Sequence, residues 1–85
     1  MDFIRQVTIY TTPTCGYCKM TKQFFHEHHI EFHEIDVSSD VNAARAMIEK
    51  SGQMGVPVIS VLQEEKETII VGFDQLELEQ VLGVN

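Results

Sequence analysis

The chain is poor in positive charge: six Lys and Arg stand against thirteen Asp and Glu in 85 residues, a formal net charge of −7. Nucleic acid and anionic membrane both require a basic footprint, so neither is expected as a partner. No apolar run approaches the ~20 residues of a bilayer-spanning helix. The first residues, Met1-Asp-Phe-Ile-Arg-Gln-Val-Thr8, carry no basic stretch followed by an apolar one, so no secretory signal is expected and the cytoplasm is the expected compartment. Cysteine is nearly absent too, with two residues in all. Two cysteines cannot build a secreted disulfide scaffold. Repeats, linkers and low-complexity segments are missing. What remains, 44% apolar residues with five Gly and two Pro, fits an ordinary folded protein. A chain this short fills one core, so residues 1–85 are expected to form a single domain; a monomer is expected.

Both cysteines sit in one stretch, Thr11-Thr-Pro-Thr-Cys-Gly-Tyr-Cys-Lys19, and the remaining chain can be read outward from it. Phe3 to Tyr10 alternates weakly, with Phe3, Val7 and Ile9 on one face and Ile4 and Tyr10 on the other, which predicts a largely buried first strand. Pro13 makes Thr11 to Thr14 a turn. From about Cys15 to His28 the three- and four-residue spacing of Tyr17, Thr21, Phe24, Phe25 and His28 predicts an amphipathic helix. Ile30 to Val37 alternates as a second strand. Ser38-Ser-Asp40 offers capping oxygens to a second helix carrying Val41, Ala44, Met47 and Ile48, which Ser51-Gly52 closes. Val58 to Leu62 and Thr68 to Val71 read as a hairpin with the exposed turn Glu64-Glu-Lys66. Asp74 and Glu77 resemble a capping box for a last helix that uses Leu78, Val81 and Leu82. The order is βαβαββα. Strands one and two, joined through a helix, should run parallel and the last two antiparallel. The expected fold is therefore α/β, a four-stranded mixed sheet flanked by helices.

A cysteine attacks as thiolate, and a helix N-terminus favours negative charge through its unpaired N–H groups and dipole. Cys15 occupies that position in the predicted helix. Cys18 lies one turn further on the same face, close enough to attack a mixed disulfide formed at Cys15. Cys15 is thus the expected nucleophile and Cys18 the resolving thiol. Lys19 adds positive charge that would favour the thiolate, whereas Lys22 reads as a solvated helix position. Gly16 between the cysteines allows the dithiol more backbone freedom than a proline would.

Three bland or competing readings stand beside this one. Cys15, Cys18, His26 and His29 nominally supply a zinc set, but along an unbroken helix His26 is ~12 Å from Cys18, far beyond metal-bond lengths. No metal is therefore expected. The histidines from His26 to His29 and His33 fit a helix C-terminus, whose dipole suits His⁺, or a solvated end. A pair of cysteines buried merely as small apolar residues leaves the Thr-Pro-Thr before them, and Tyr17 and Lys19 around them, without a role.

The stretch Ile9-Tyr-Thr-Thr-Pro-Thr-Cys-Gly-Tyr-Cys-Lys19, followed by Gly55-Val-Pro-Val58 and Val71-Gly-Phe-Asp74, resembles the three landmarks of the glutaredoxins, and the resemblance covers essentially the whole chain. It implies a thioredoxin-like fold and thiol-disulfide oxidoreductase activity in redox homeostasis and electron transport. By that resemblance Pro57 is a cis proline that brings Val56 beside Cys15, where backbone pairs with glutathione or a substrate peptide. Gly72, Phe73 and Asp74 match the segment that receives the γ-glutamyl end of glutathione, Asp74 also being a helix cap. Tyr17 matches the aromatic that lines the groove, and Thr12 the residue three before the first cysteine.

Glutathione-using members commonly carry a lysine at the Thr12 position and a basic residue near Gln53; here both cations are replaced, and Gly16 replaces a proline. These departures resemble bacterial glutaredoxin-like proteins and the redoxins that serve ribonucleotide reductase and draw electrons from thioredoxin reductase. The expected partners are disulfide-containing proteins, with glutathione as possible co-substrate or thioredoxin reductase as reductant, and no bound cofactor. A reading of another class is a module holding an iron-sulfur cluster between two protomers through Cys15 and glutathione.

Overall fold

A computed structural model of the chain describes residues 5–84. Phe3 and Ile4, assigned above to the first strand, lie outside the described residues. The elements follow the order β1 (Arg5–Thr11), α1 (Gly16–Glu27), β2 (His33–Asp36), α2 (Val41–Ser51), β3 (Val58–Gln63), β4 (Lys66–Val71) and α3 (Gln75–Leu82). The strands form one sheet in the order β2-β1-β3-β4. β1 runs parallel to β2, with Tyr10 opposite Ile35, and antiparallel to β3, with Tyr10 opposite Val58. β3 and β4 are the expected antiparallel hairpin, with Val58 opposite Val71.

Alternation divides the side chains between two faces. On one, Val7, Ile9, Ile59, Val61 and Ile70 pack against Phe24 and Phe25 of α1 and Leu78 and Leu82 of α3, with Ile30 from the α1–β2 connection. Phe25 is wholly buried there, so Phe25→Ala should cost about 3–5 kcal/mol. The other face is thinner: Tyr10 and Val58 meet Met47 of α2, with Ile35, Val37, Val56 and Ile69 partly covered. α2 departs from expectation here. Val41 is 73% exposed and Ile48 also lies open, so the buried side of α2 reduces to Met47. The periodicity was helical, but the sheet face beneath is too small to cover a full apolar stripe.

Local chemistry explains the element ends. Asp40 Oδ1 accepts the Ala43 N–H at 3.0 Å, and Gly52 closes α2 at φ 74°, the left-handed region that glycine adopts without strain. Asp74 Oδ1 accepts the Glu77 N–H at 3.1 Å and Gly83 closes α3. The C-terminal carbonyls of α3 are further satisfied by Arg5, which donates to Leu82 O at 3.0 Å, and by Gln63, which donates to Val81 O at 3.0 Å. β2 is shorter than the alternation of Ile30 to Val37 suggests, because the residue-by-residue register with β1 runs only over 33–36. Thr11, expected in the turn, instead ends β1: it pairs with Asp36, and its carbonyl accepts the Val37 N–H at 2.9 Å.

Candidate active site

The cysteines stand where β1 gives way to α1. Cys15 is extended, at φ −85° and ψ 112°, and caps the helix: its Sγ accepts the Cys18 N–H at 3.0 Å. Its own N–H donates to Thr12 O at 3.3 Å, closing the Thr12-Pro-Thr-Cys15 turn. Cys15 and Cys18 are joined as a disulfide with Cα atoms 5.2 Å apart. Their environments differ. Cys18 is 1% exposed, whereas Cys15 is only partly covered, so solvent reaches the pair from the Cys15 side.

Tyr17 was counted above with the inward stripe of α1, yet it is 64% exposed. The buried side of α1 is Cys18, Thr21, Phe24 and Phe25; Tyr17, in the first turn, stands beyond the cover of the sheet and leaves only its carbonyl engaged, by Thr21 Oγ1 at 2.8 Å. Lys19 is exposed. Gly16 takes no left-handed conformation and is the first residue of α1.

The sheet brings the other landmarks to the same end. β1 and β3 are antiparallel, so the start of β3 lies beside the end of β1, and the end of β4 lies beside the start of β3. The Val56–Pro57 bond is cis. Pro57 is buried and its carbonyl accepts the Gly72 N–H at 2.8 Å, which ties the two segments together. Gly72 has φ 79°, a conformation that a side chain would strain. Val56 packs among Tyr10, Met47 and Val58. The ring of Phe73 turns to α1, edge-on to Phe24 with centroids 6.3 Å apart, and the Asp74 carboxylate caps α3. Thr12 is half-buried.

Two ion pairs tie α1 and α2 to the sheet. Glu34 of β2 accepts from Lys22 Nζ at 2.9 Å and from Thr11 Oγ1 at 2.8 Å. The Lys22 hydrogen bond is the main cause that holds the Glu34 carboxyl below its ordinary value, against partial burial. Lys22 is therefore a link from α1 to the sheet rather than a solvated residue. Glu67 of β4 likewise accepts from Lys50 Nζ at 2.7 Å and from Ser60 Oγ, which lowers the Glu67 carboxyl and raises the Lys50 ammonium.

The histidines do not gather with the cysteines. α1 runs unbroken, so Cys18 and His26 are separated by two helical turns or about 12 Å. His28 lies half-buried against Phe24 with centroids 4.4 Å apart, while His26, 5.6 Å from Phe32, stays exposed in the last turn of α1. Among the described residues no group of three or more His, Cys, Asp or Glu could hold a metal ion, and no helix is long and apolar enough to cross a membrane.

The glutaredoxin family model matches residues 7–65, from β1 to the turn that follows β3. The chain belongs to the glutaredoxin family. It is 37% identical, over 89% of its length and 96% of the relative, to a glutaredoxin-like 8.6 kDa protein of the rubredoxin operon of Clostridium pasteurianum. A glutaredoxin of Neisseria meningitidis is 37% identical over 96% of this chain and 94% of that one. Among solved structures, the glutaredoxin-like protein NrdH-redoxin from Escherichia coli superposes with a TM-score of 0.75 at 25% identity, covering 89% of this chain and 93% of that one. The fold is thus thioredoxin-like, as the motifs implied, and the family is one of thiol oxidoreductases with Cys15 and Cys18 as its cysteine pair here. Gln53 is the residue whose place the sequence left unread. It registered as an absent cation, whereas its side chain closes on the backbone of Gly55; a Gln-x-Gly spacing ahead of the proline was the available signal.

Proposed function

We propose that this glutaredoxin reduces disulfides of protein or peptide substrates, Cys15 attacking and Cys18 resolving. The observation that carries the assignment is the asymmetry of the pair: Cys15 is partly exposed and its Sγ takes the Cys18 N–H, while Cys18 is buried. On reduction, the same N–H and the start of α1 favour a thiolate at Cys15, and exposed Lys19 adds positive charge. The thiolate attacks one sulfur of a substrate disulfide R–S–S–R′, forming Cys15–S–S–R and releasing R′S⁻. Cys18 then loses its proton and attacks Cys15 Sγ, forming the Cys15–Cys18 disulfide and releasing RS⁻. Two electrons pass to the substrate, and two protons complete its thiols.

Thr12, Tyr17, Val56, Pro57 and Gly72 to Asp74 are the proposed groove, with the Val56 backbone pairing an extended peptide. The whole reaction is carried by one domain, acting in the cytoplasm. The test is direct: Cys15→Ser should abolish reduction of a peptide disulfide, and Cys15 should titrate below the free-thiol value near 8.5. Retained activity in Cys15→Ser, or titration at or above that value, would reverse the roles or remove them.

Thioredoxin reductase is favoured as the electron source over glutathione. Thr12 and Gln53 supply no cation for glutathione's carboxylates, and a similar protein, NrdH-redoxin, is described by its thioredoxin-like activity profile. Supplying the oxidised protein with thioredoxin reductase and NADPH, or with glutathione and its reductase, distinguishes the two sources by which mixture consumes NADPH.

A further inference from the structure

The segment that leads from α2 to Val56 is closed by one side chain. Gln53 Oε1 accepts the Gly55 N–H at 2.6 Å and Gln53 Nε2 donates to Gly55 O at 3.0 Å. A single amide thus pairs with both polar groups of one peptide residue, as a neighbouring strand would. Behind it, Ser51 Oγ lies 2.7 Å from Met47 O and 3.0 Å from Gln53 O, its one proton able to serve either carbonyl, which sets the loop against the last turn of α2. Met54, at the tip, is exposed, so apolar packing does not fix the loop. Gly55 matches this arrangement: a Cβ built on it would stand 2.8 Å from Gln53 Oε1, and its φ is not in the left-handed region. The absence of a side chain at position 55 therefore makes room for the Gln53 amide and answers no backbone requirement.

We infer that Gln53 is a positioning residue whose amide clamp on Gly55 fixes the backbone presented at Val56, and so sets how tightly an extended peptide disulfide binds. The inference rests on the function proposed above. Without the clamp, the 53–55 loop must be ordered at the moment of binding, and affinity falls by the cost of that ordering. The sulfur chemistry is untouched, because the clamp contacts neither cysteine.

The experiment uses the full chain, pre-reduced, in single turnovers with two oxidants: a linear peptide disulfide, and bis(2-hydroxyethyl) disulfide, which has no peptide backbone to pair. Each turnover converts the Cys15 and Cys18 thiols to their disulfide and the oxidant to two thiols. For Gln53→Ala the half-saturating peptide concentration should rise about fivefold to tenfold, the equivalent of one net hydrogen bond. The maximal rate, the rate with bis(2-hydroxyethyl) disulfide and the thiolate absorbance titration of Cys15 should not move. Gly55→Ala should reproduce this, because its methyl group displaces the amide, and the double variant should be no worse than either single one. An unchanged half-saturating concentration, additive effects in the double variant, or an equal loss with both oxidants overturns the clamp. If the unaltered protein reduced neither oxidant, the function itself, and the clamp with it, would fall.

Discussion

All three helices begin with a side chain that accepts the N–H three residues on, but the acceptors differ. At α2 and α3 the acceptor is a carboxylate, Asp40 or Asp74; at α1 it is the sulfur of Cys15, with the same 3.0 Å separation as at Asp40. Aspartate is among the preferred N-caps because its charge suits the helix dipole and its oxygen satisfies an otherwise unpaired donor. The two carboxylate caps show what that position stabilises: a negative charge. A reduced Cys15 meets the same local field, and a thiolate is the species it favours. The chain has used one cap geometry twice for structure and once where the capping atom is the proposed nucleophile. What separates the third is the capping atom, a sulfur paired with Cys18, since α3 too starts at the sheet end that carries Val56–Pro57 and Gly72–Asp74.

The sharpest way to break this comparison is Cys15→Ser. Serine is a better cap than a thiol, so reduction of peptide disulfides should vanish while the thermal midpoint of the reduced protein holds or rises; joint loss of both would make Cys15 a structural cap first. Next in size is a transplant. With Cys15 and Cys18 replaced by Ser, Asp40→Cys and Ala43→Cys rebuild the two-residue spacing on α2, away from the proline loop. Its stopped-flow reduction of a peptide disulfide should fall ~10²-fold below the native pair, the scale of a misplaced reacting group. Equal rates would mean that a helix cap alone suffices.

The carboxylate caps sharpen the contrast further. Asp40→Ala and Asp74→Ala should each lower stability by about 1 kcal/mol in denaturant titrations. Only Asp74→Ala should also raise the half-saturating peptide concentration, because Asp74 borders the proposed groove. Equal binding by the two variants would leave Asp74 a cap alone. The smallest effect concerns the tie that steadies α1. Hydrogen bonding to Lys22 and Thr11 lowers the Glu34 pKa, so its stabilisation is present above the ordinary value of 4.5 and is lost as pH falls through the lower folded value. Glu34 is more than a third exposed, so solvent screening keeps this to a few tenths of a kcal/mol. Thermal midpoints of Glu34→Gln and the unaltered protein should accordingly differ at neutral pH and converge at acid pH; parallel curves down to pH 3 would remove the assigned role.

Much of the fold was legible because it depends on neighbours in sequence. Asp40, Asp74, Gly52 and the hairpin around Glu64 and Glu65 are local devices, and each stands where its chemistry predicted. Misreadings arose where packing decided. Tyr17, Val41 and Ile48 keep a helical period, yet the sheet does not extend over them, so they remain exposed. Lys22 looked solvated because Glu34, its partner, is twelve residues away.

By itself the sequence determined the elements and their order, the cysteine pair at a helix start, and the family to which those motifs point. These follow from caps, periodicity and turn chemistry, all interactions of short range. Tertiary structure alone decided the pairing of β1 with β3, which carries Pro57 and Gly72 to the end of the sheet where α1 begins. It also decided which cysteine is covered and that Gln53 closes on Gly55 instead of reaching outward. Those outcomes depend on which faces bury each other and which polar groups then find partners, and that is settled only once distant strands share one core.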